Sequence, residues 1–228
     1  GMRYYNGSST TEKFCNTLWF KRGDGTDILQ SAGDNTWGQL GIGSPNNVTS
    51  PTDVVPVYGT IVDIKRNGCV PASTWILNTD NEIYSFGHNN RGQLGLGNTT
   101  NTFTPTRAET GVTEMLGGEH TSYWLGYNNA SPMIRKSDGW YRAGWGEYGM
   151  VGDGTTSNRS NFVKMRLPNV DMKFLTAYTN RESRATNILI TANNEWYVWG
   201  YNEQNQLEGH STNGYDSPVL NTPNALMR

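Results

Sequence analysis

Gly87-His88-Asn89-Asn90-Arg91-Gly92-Gln93-Leu94-Gly95-Leu96-Gly97, GHNNRGQLGLG in one-letter code, is the stretch that decides the fold. The same phrase stands earlier as GDNTWGQLGIG, Gly33 to Gly43. It returns in worn form as GWGEYGMVGDG, Gly144 to Gly154, and as GYNEQNQLEGH, Gly200 to His210. The leading glycines Gly33, Gly87, Gly144 and Gly200 lie 54, 57 and 56 residues apart, and a fixed period of that length marks a repeat protein.

Outward from the second phrase, Glu82 to Phe86 (EIYSF) alternates with period two and is too short for an amphipathic helix, so it predicts a strand. Thr79-Asp80-Asn81 before it reads as a turn, Ser73 to Asn78 as a preceding strand, Thr60 to Ile64 as another, and Thr104 to Ala108 as a fourth. The other phrases have similar surroundings: strands at Phe14 to Phe20 and Asp27 to Ala32 before the first, at Val112 to Leu116, Ser122 to Leu125, Pro132 to Arg135 and Trp140 to Ala143 before the third, and at Val170 to Leu175, Ala185 to Thr191 and Glu195 to Trp199 before the fourth. The segment after the first phrase, SPNNVTSPTDV, reads as a polar loop leading to a short extended piece, and Arg3-Tyr4-Tyr5 as an edge strand.

Four units follow, approximately 1–58, 59–110, 111–168 and 169–228, forming one repeat domain. A sheet of four short strands cannot bury both faces alone, so successive sheets must pack on one another in a row or around an axis. The expected fold is all-β and propeller-like, with four blades of mostly four short antiparallel strands, either a closed small ring or part of a larger one.

Composition agrees: 35% hydrophobic and 17% charged residues, with Gly 27, Trp 8 and Tyr 12, favour short strands and many turns over long charged helices. A net charge of -2 gives no general attraction to nucleic acid or to an anionic membrane. No run of 18 apolar residues predicts a transmembrane segment, and the first residues show no signal-peptide pattern. Cys15 and Cys69 each precede a leading glycine by 18 residues, so they hold equivalent places in consecutive units, as free buried thiols or, if the units bring them together, as a disulfide. With three scattered histidines they make no zinc pattern; no metal or other cofactor is expected.

The phrase with the strand before it, Asn81 to Gly97, resembles the family of regulator-of-chromosome-condensation-like repeats: a strand ending in Phe-Gly or Trp-Gly, then Asn, then Gly-Gln-Leu-Gly-x-Gly. Two near-complete and two degraded copies cover nearly the whole chain. The resemblance implies a propeller, usually seven-bladed, but no single job, since family members include exchange factors for small GTPases, chromatin binders, inhibitors of secreted enzymes and phage or bacterial surface proteins. Asn205 in place of the second phrase glycine, and Glu208-Gly209-His210 at the tail, depart from the pattern.

Within the phrase, Gly33, Gly87, Gly144 and Gly200 are expected to supply positive φ or close backbone approach. Leu40, Leu94 and Leu207, with Val151, plug the space between sheets, and Gln39, Gln93 and Gln206 satisfy buried backbone groups. Function must lie where the copies differ. One residue after the leading glycine stand Asp34, His88, Trp145 and Tyr201, and four residues after it stand Trp37, Arg91, Tyr148 and Gln204. Equivalent positions share one face of a propeller, so Trp37, Arg91, Trp145, Tyr148 and Tyr201 are the candidate ligand-binding rim, with aromatic and arginine anchors suited to a protein or a glycan. No nucleophile-base signature surrounds the cysteines or histidines, and acids such as Asp80 and Asp138 sit in turns, so no catalytic residue is assigned. The paired phrase acids Glu147 and Glu203, and calcium at Asp153, are the weaker chemical options.

The expectation is a non-enzymatic module that binds a protein or glycan receptor on a surface, in a virion or extracellular setting, without nucleic acid, and with open sheet ends that admit a homo-oligomer. The alternative is an intracellular interaction or regulatory propeller, including exchange on a small GTPase.

Overall fold

The computed structural model describes residues 17–22, 27–56, 59–67, 72–117, 131–180, 184–202 and 214–221. Their strands form four sheets. The first holds β1 (Thr17–Arg22), β2 (Asp27–Gly33) and β3 (Val48–Asp53), and the second β4 (Ile61–Asn67), β5 (Ser73–Asn78), β6 (Glu82–Gly87) and β7 (Thr102–Thr110). The third holds β8 (Glu114–Leu116), β9 (Met133–Lys136), β10 (Gly139–Gly144) and β11 (Arg159–Lys164), and the fourth β12 (Met172–Asn180), β13 (Arg184–Thr191), β14 (Trp196–Gly200) and β15 (Tyr215–Asn221). Within each sheet the strands lie in chain order and pair antiparallel. Arg3 to Tyr5 and Ser122 to Leu125 lie outside the described residues, as do Cys15, Cys69, Gln206 and Leu207.

In the second, third and fourth sheets the two central strands close through tight turns whose chemistry is local. Asn81 (φ 60) and Asn194 (φ 63) take the left-handed conformation that asparagine tolerates better than other side chains, and Gly139 (φ 147) stands at the corresponding turn of the third sheet. In all four sheets the strand entering the phrase is bulged against the outermost strand just before the leading glycine, between Ser31 and Gly33, Ser85 and Gly87, Arg142 and Gly144, and Val198 and Gly200.

Of the outermost strands, β3 begins inside the segment expected as a polar loop leading to a short extended piece, and β11 and β15 stand where the sequence reading named no strand. They are half-exposed edges with little apolar alternation, and Pro51, Pro105 and Pro218 stand at one equivalent place in β3, β7 and β15. Proline removes a ladder donor, and an edge strand tolerates that loss.

The core lies between the sheets. Leu29, Val54, Ile61, Ile76, Tyr84 and Phe86 join the first to the second. Trp75, Leu77, Ile83, Met115, Ile134 and Phe162 join the second to the third, and Met133, Trp140, Met165, Leu189 and Trp199 the third to the fourth. Leu40, Leu94 and Val151 are buried.

Candidate functional site

Each of the first three phrases is a compact knot of hydrogen bonds. Gly92 N–H donates to the Asn89 carbonyl (2.9 Å) and Gly95 N–H to the Gly92 carbonyl (3.0 Å), a pair of turns repeated at Gly38 and Gly41 and at Gly149 and Gly152. The Asn89 side chain holds the knot: its Oδ1 accepts from Leu94 N–H (2.9 Å), while its Nδ2 donates to the carbonyls of Asn98 (3.1 Å) and Thr100 (3.0 Å). Asn35 repeats this with Leu40 and Ser44. Gln39 and Gln93 turn their Oε1 atoms inward to accept the N–H of Trp37 (2.8 Å) and Arg91 (3.0 Å). One holder escaped the sequence reading: Asn47, Asn101 and Asn158, each 14 residues after a leading glycine, accept the N–H of Asn35, Asn89 and Gly146. The equal spacing was the available signal.

The phrase then docks on the next sheet. Gly43, Gly97 and Gly154 donate their N–H groups to Phe103, Ser160 and Asp216, which lie in the outermost strands β7, β11 and β15 of the following sheets. The approach is close: a Cβ at Gly92 would stand 2.5 Å from the Ser160 Cα, and one at Gly38 2.4 Å from the Thr102 carbonyl oxygen.

This docking brings the variable positions together across every described junction. The residue four after one leading glycine meets the residue one after the next. Trp37 meets His88 edge to face at 5.1 Å, the Arg91 guanidinium lies over the Trp145 ring at 5.5 Å, and Tyr148 meets Tyr201 edge to face at 5.0 Å. Trp37, Arg91, Trp145 and Tyr148 are half-buried and retain accessible surface. Tyr201 does not: it is fully buried beneath Tyr148, so it supports a neighbour and offers no ligand surface, a correction to its place in the rim. Tyr148 is also a non-glycine residue at φ 57.

His88 sits behind Trp37, 3% exposed, with Nδ1 3.0 Å from Gln93 Nε2. Since that amide nitrogen only donates, His88 accepts at Nδ1 and carries its proton at Nε2. Burial, helped by the Arg91 charge, lowers its pKa to about 4, so the ring is neutral at pH 7. In the third phrase Met150 replaces the glutamine, and Arg142 fills in. Buried against the fourth sheet, it donates to the carbonyls of Ser131 (3.3 Å) and Met150 (2.9 Å) and to Asn187 Oδ1 (2.9 Å), and desolvation lowers its pKa to about 10.

The acids are engaged in structure. Asp153 accepts from Thr155 and pairs with Arg159 at 2.6 Å, and Asp138 holds Tyr141 and Lys164. Glu147 is exposed, and Glu203 lies outside the described residues. No group of three or more His, Cys, Asp or Glu that would hold a metal ion occurs among the described residues, and no helix among them is long and apolar enough to cross a membrane.

Comparison with known proteins gives the fold its relatives. The family described as "Regulator of chromosome condensation (RCC1) repeat" matches residues 80–123. The ultraviolet-B receptor UVR8 of Arabidopsis thaliana is 26% identical over 193 residues, 84% of this chain and 41% of the relative. The human X-linked retinitis pigmentosa GTPase regulator is 38% identical over 81 residues, 35% of this chain and 8% of the relative. Among solved structures, human WBSCR16 superposes with a TM-score of 0.63 at 18% identity, over 92% of this chain and 50% of its own. Yeast RCC1 (Prp20), solved with Kap60, gives 0.63 at 17% identity, over 93% and 48%. The chain thus spans half or less of the length of these relatives.

Proposed function

We propose that this chain, an RCC1-like repeat protein, is a non-enzymatic protein-binding module whose contact face is built from Trp37, Arg91, Trp145 and Tyr148. One observation carries this reading: two positions that differ in every phrase meet across the junctions, on a scaffold held by recurring glycines and, in the first two phrases, by the same asparagine and glutamine. Half-buried aromatic and arginine side chains held by rigid neighbours lose little entropy on binding and are the usual anchors of protein interfaces. The names of its relatives, a receptor and a GTPase regulator, support an interaction or regulatory role. The Gly-, Trp- and Tyr-rich composition supports a receptor-binding setting on a virion or outside a cell.

Site-specific photo-crosslinking tests the face. With p-benzoylphenylalanine placed at Tyr148, a discrete protein adduct is expected that does not form from Thr106, exposed on β7. Trp145→Ala should abolish it without loss of the folded state. Adducts of equal yield from both positions overturn the assignment, and nucleotide release from a panel of small GTPases would instead place the chain among exchange factors.

A further inference from the structure

Resting on that reading of the face, we propose that the Arg91–Trp145 pair is the anchor for an acidic side chain, so that the partner segment it takes is an Asp- or Glu-bearing peptide of a protein.

Among the described residues the guanidinium of Arg91 has no hydrogen-bond acceptor and no ion-pair partner. Its Nε is shut off from solvent and makes no hydrogen bond. Among the described residues the half-buried side chain is engaged by the ring of Trp145, while the backbone N–H of Arg91 donates to Gln93 Oε1 at 3.0 Å. Several other basic side chains among the described residues have such partners. Arg107 pairs with Glu82 at 2.9 Å, Lys136 with Glu109 at 3.2 Å and Arg159 with Asp153 at 2.6 Å, while the buried Arg142 reaches two carbonyls and an amide oxygen. The immediate neighbours of Arg91 offer no counter-charge: His88 is neutral, Gln93 is an amide, and Trp145 has only its ring face to give. Glu147 is exposed and makes no ion pair with it.

A guanidinium with one donor lost to burial is under-solvated, and its terminal nitrogens present the remaining donors in a planar fork. A carboxylate matches that fork with two parallel charge-assisted hydrogen bonds. Trp145 fixes the plane by a cation–π contact, which reduces the side-chain entropy lost when the carboxylate docks. In the preceding phrase Gln39 Nε2 is likewise without an acceptor among the described residues; Asp34, at the place His88 takes in the second phrase, accepts from Thr36.

The test titrates the full chain, with its Trp145 indole N–H resonance assigned, against an octaglutamate peptide. Octaglutamine and 3′-sialyllactose serve as parallel arms. The expected result is a saturable shift with octaglutamate alone, weakened about tenfold by Arg91→Gln, partly kept by Arg91→Lys, and weakened by added salt. No shift with octaglutamate, or a shift that Arg91→Gln leaves unchanged in a variant that melts like the parent, overturns the proposal. A shift with sialyllactose alone overturns it too, in favour of an anionic glycan. A discrete Tyr148 adduct beside a silent octaglutamate titration removes the carboxylate anchor and leaves the binding face standing; loss of both removes the face as well.

Discussion

His88 shows how much one residue of the phrase can do. Its unfolded pKa lies near 6.5, and in the folded chain burial holds it at about 4. The folded state therefore binds fewer protons between these values, so the stability that depends on the neutral ring is complete above pH 6.5 and is lost as pH falls toward 4. His88→Gln, which keeps an acceptor for Gln93, should flatten the fall in melting temperature across that window. Parallel slopes in parent and variant would mean that the ring does not titrate in the folded chain as its burial implies. The presence of a variable residue at this position was legible in the sequence; its burial was not, because that depends on Trp37 arriving from the phrase before. Tyr201 misled for the same reason. An aromatic at a variable phrase position looks like surface until the neighbouring copy, with Tyr148, is laid over it.

At the scale of the element, the glycine phrase combines two separable demands, a left-handed backbone and room for the next sheet. Gly92 has φ 80 and a following strand within 2.5 Å of where a Cβ would lie, whereas Gly111 has φ 69 and nothing within 4 Å. Gly111→Ala should thus cost only the conformational penalty, about 1–2 kcal/mol. Gly92→Ala adds displacement of β11 and should cost roughly 3–5 kcal/mol, read as the difference in denaturant midpoint at constant slope. Equal losses would show that close approach contributes nothing. The central strands were legible because both their faces are built from apolar residues and their turns carry Asn or Gly. The outermost strands β3, β11 and β15 were not, since an edge with one neighbouring strand, a bulge and, in two cases, a proline carries the composition of a loop.

Across the molecule, cohesion passes from sheet to sheet through three apolar clusters and the phrase that docks beside each. Among the described residues, the second and third sheets are each gripped by two of these clusters and the first and fourth by one, an arrangement in which stability sums over neighbours and is greatest inside. Native-state hydrogen exchange should then find the amides of Ile76 and Leu77 in β5 and Ile134 in β9 the slowest, with those of Leu29 in β2 and Leu189 in β13 opening at lower free energy. The gradient bears on function. The Arg91–Trp145 pair straddles the junction between the second and third sheets, the one flanked on both sides by another, so it is the rim pair held most firmly before any partner arrives. Trp37–His88 and Tyr148–Tyr201 ride on the flanking junctions and should yield first. Equal protection in all four sheets would contradict this order: it would require the outer flanks of the first and fourth sheets to be gripped as well, and the rim would then be uniformly rigid, with no privileged centre at Arg91.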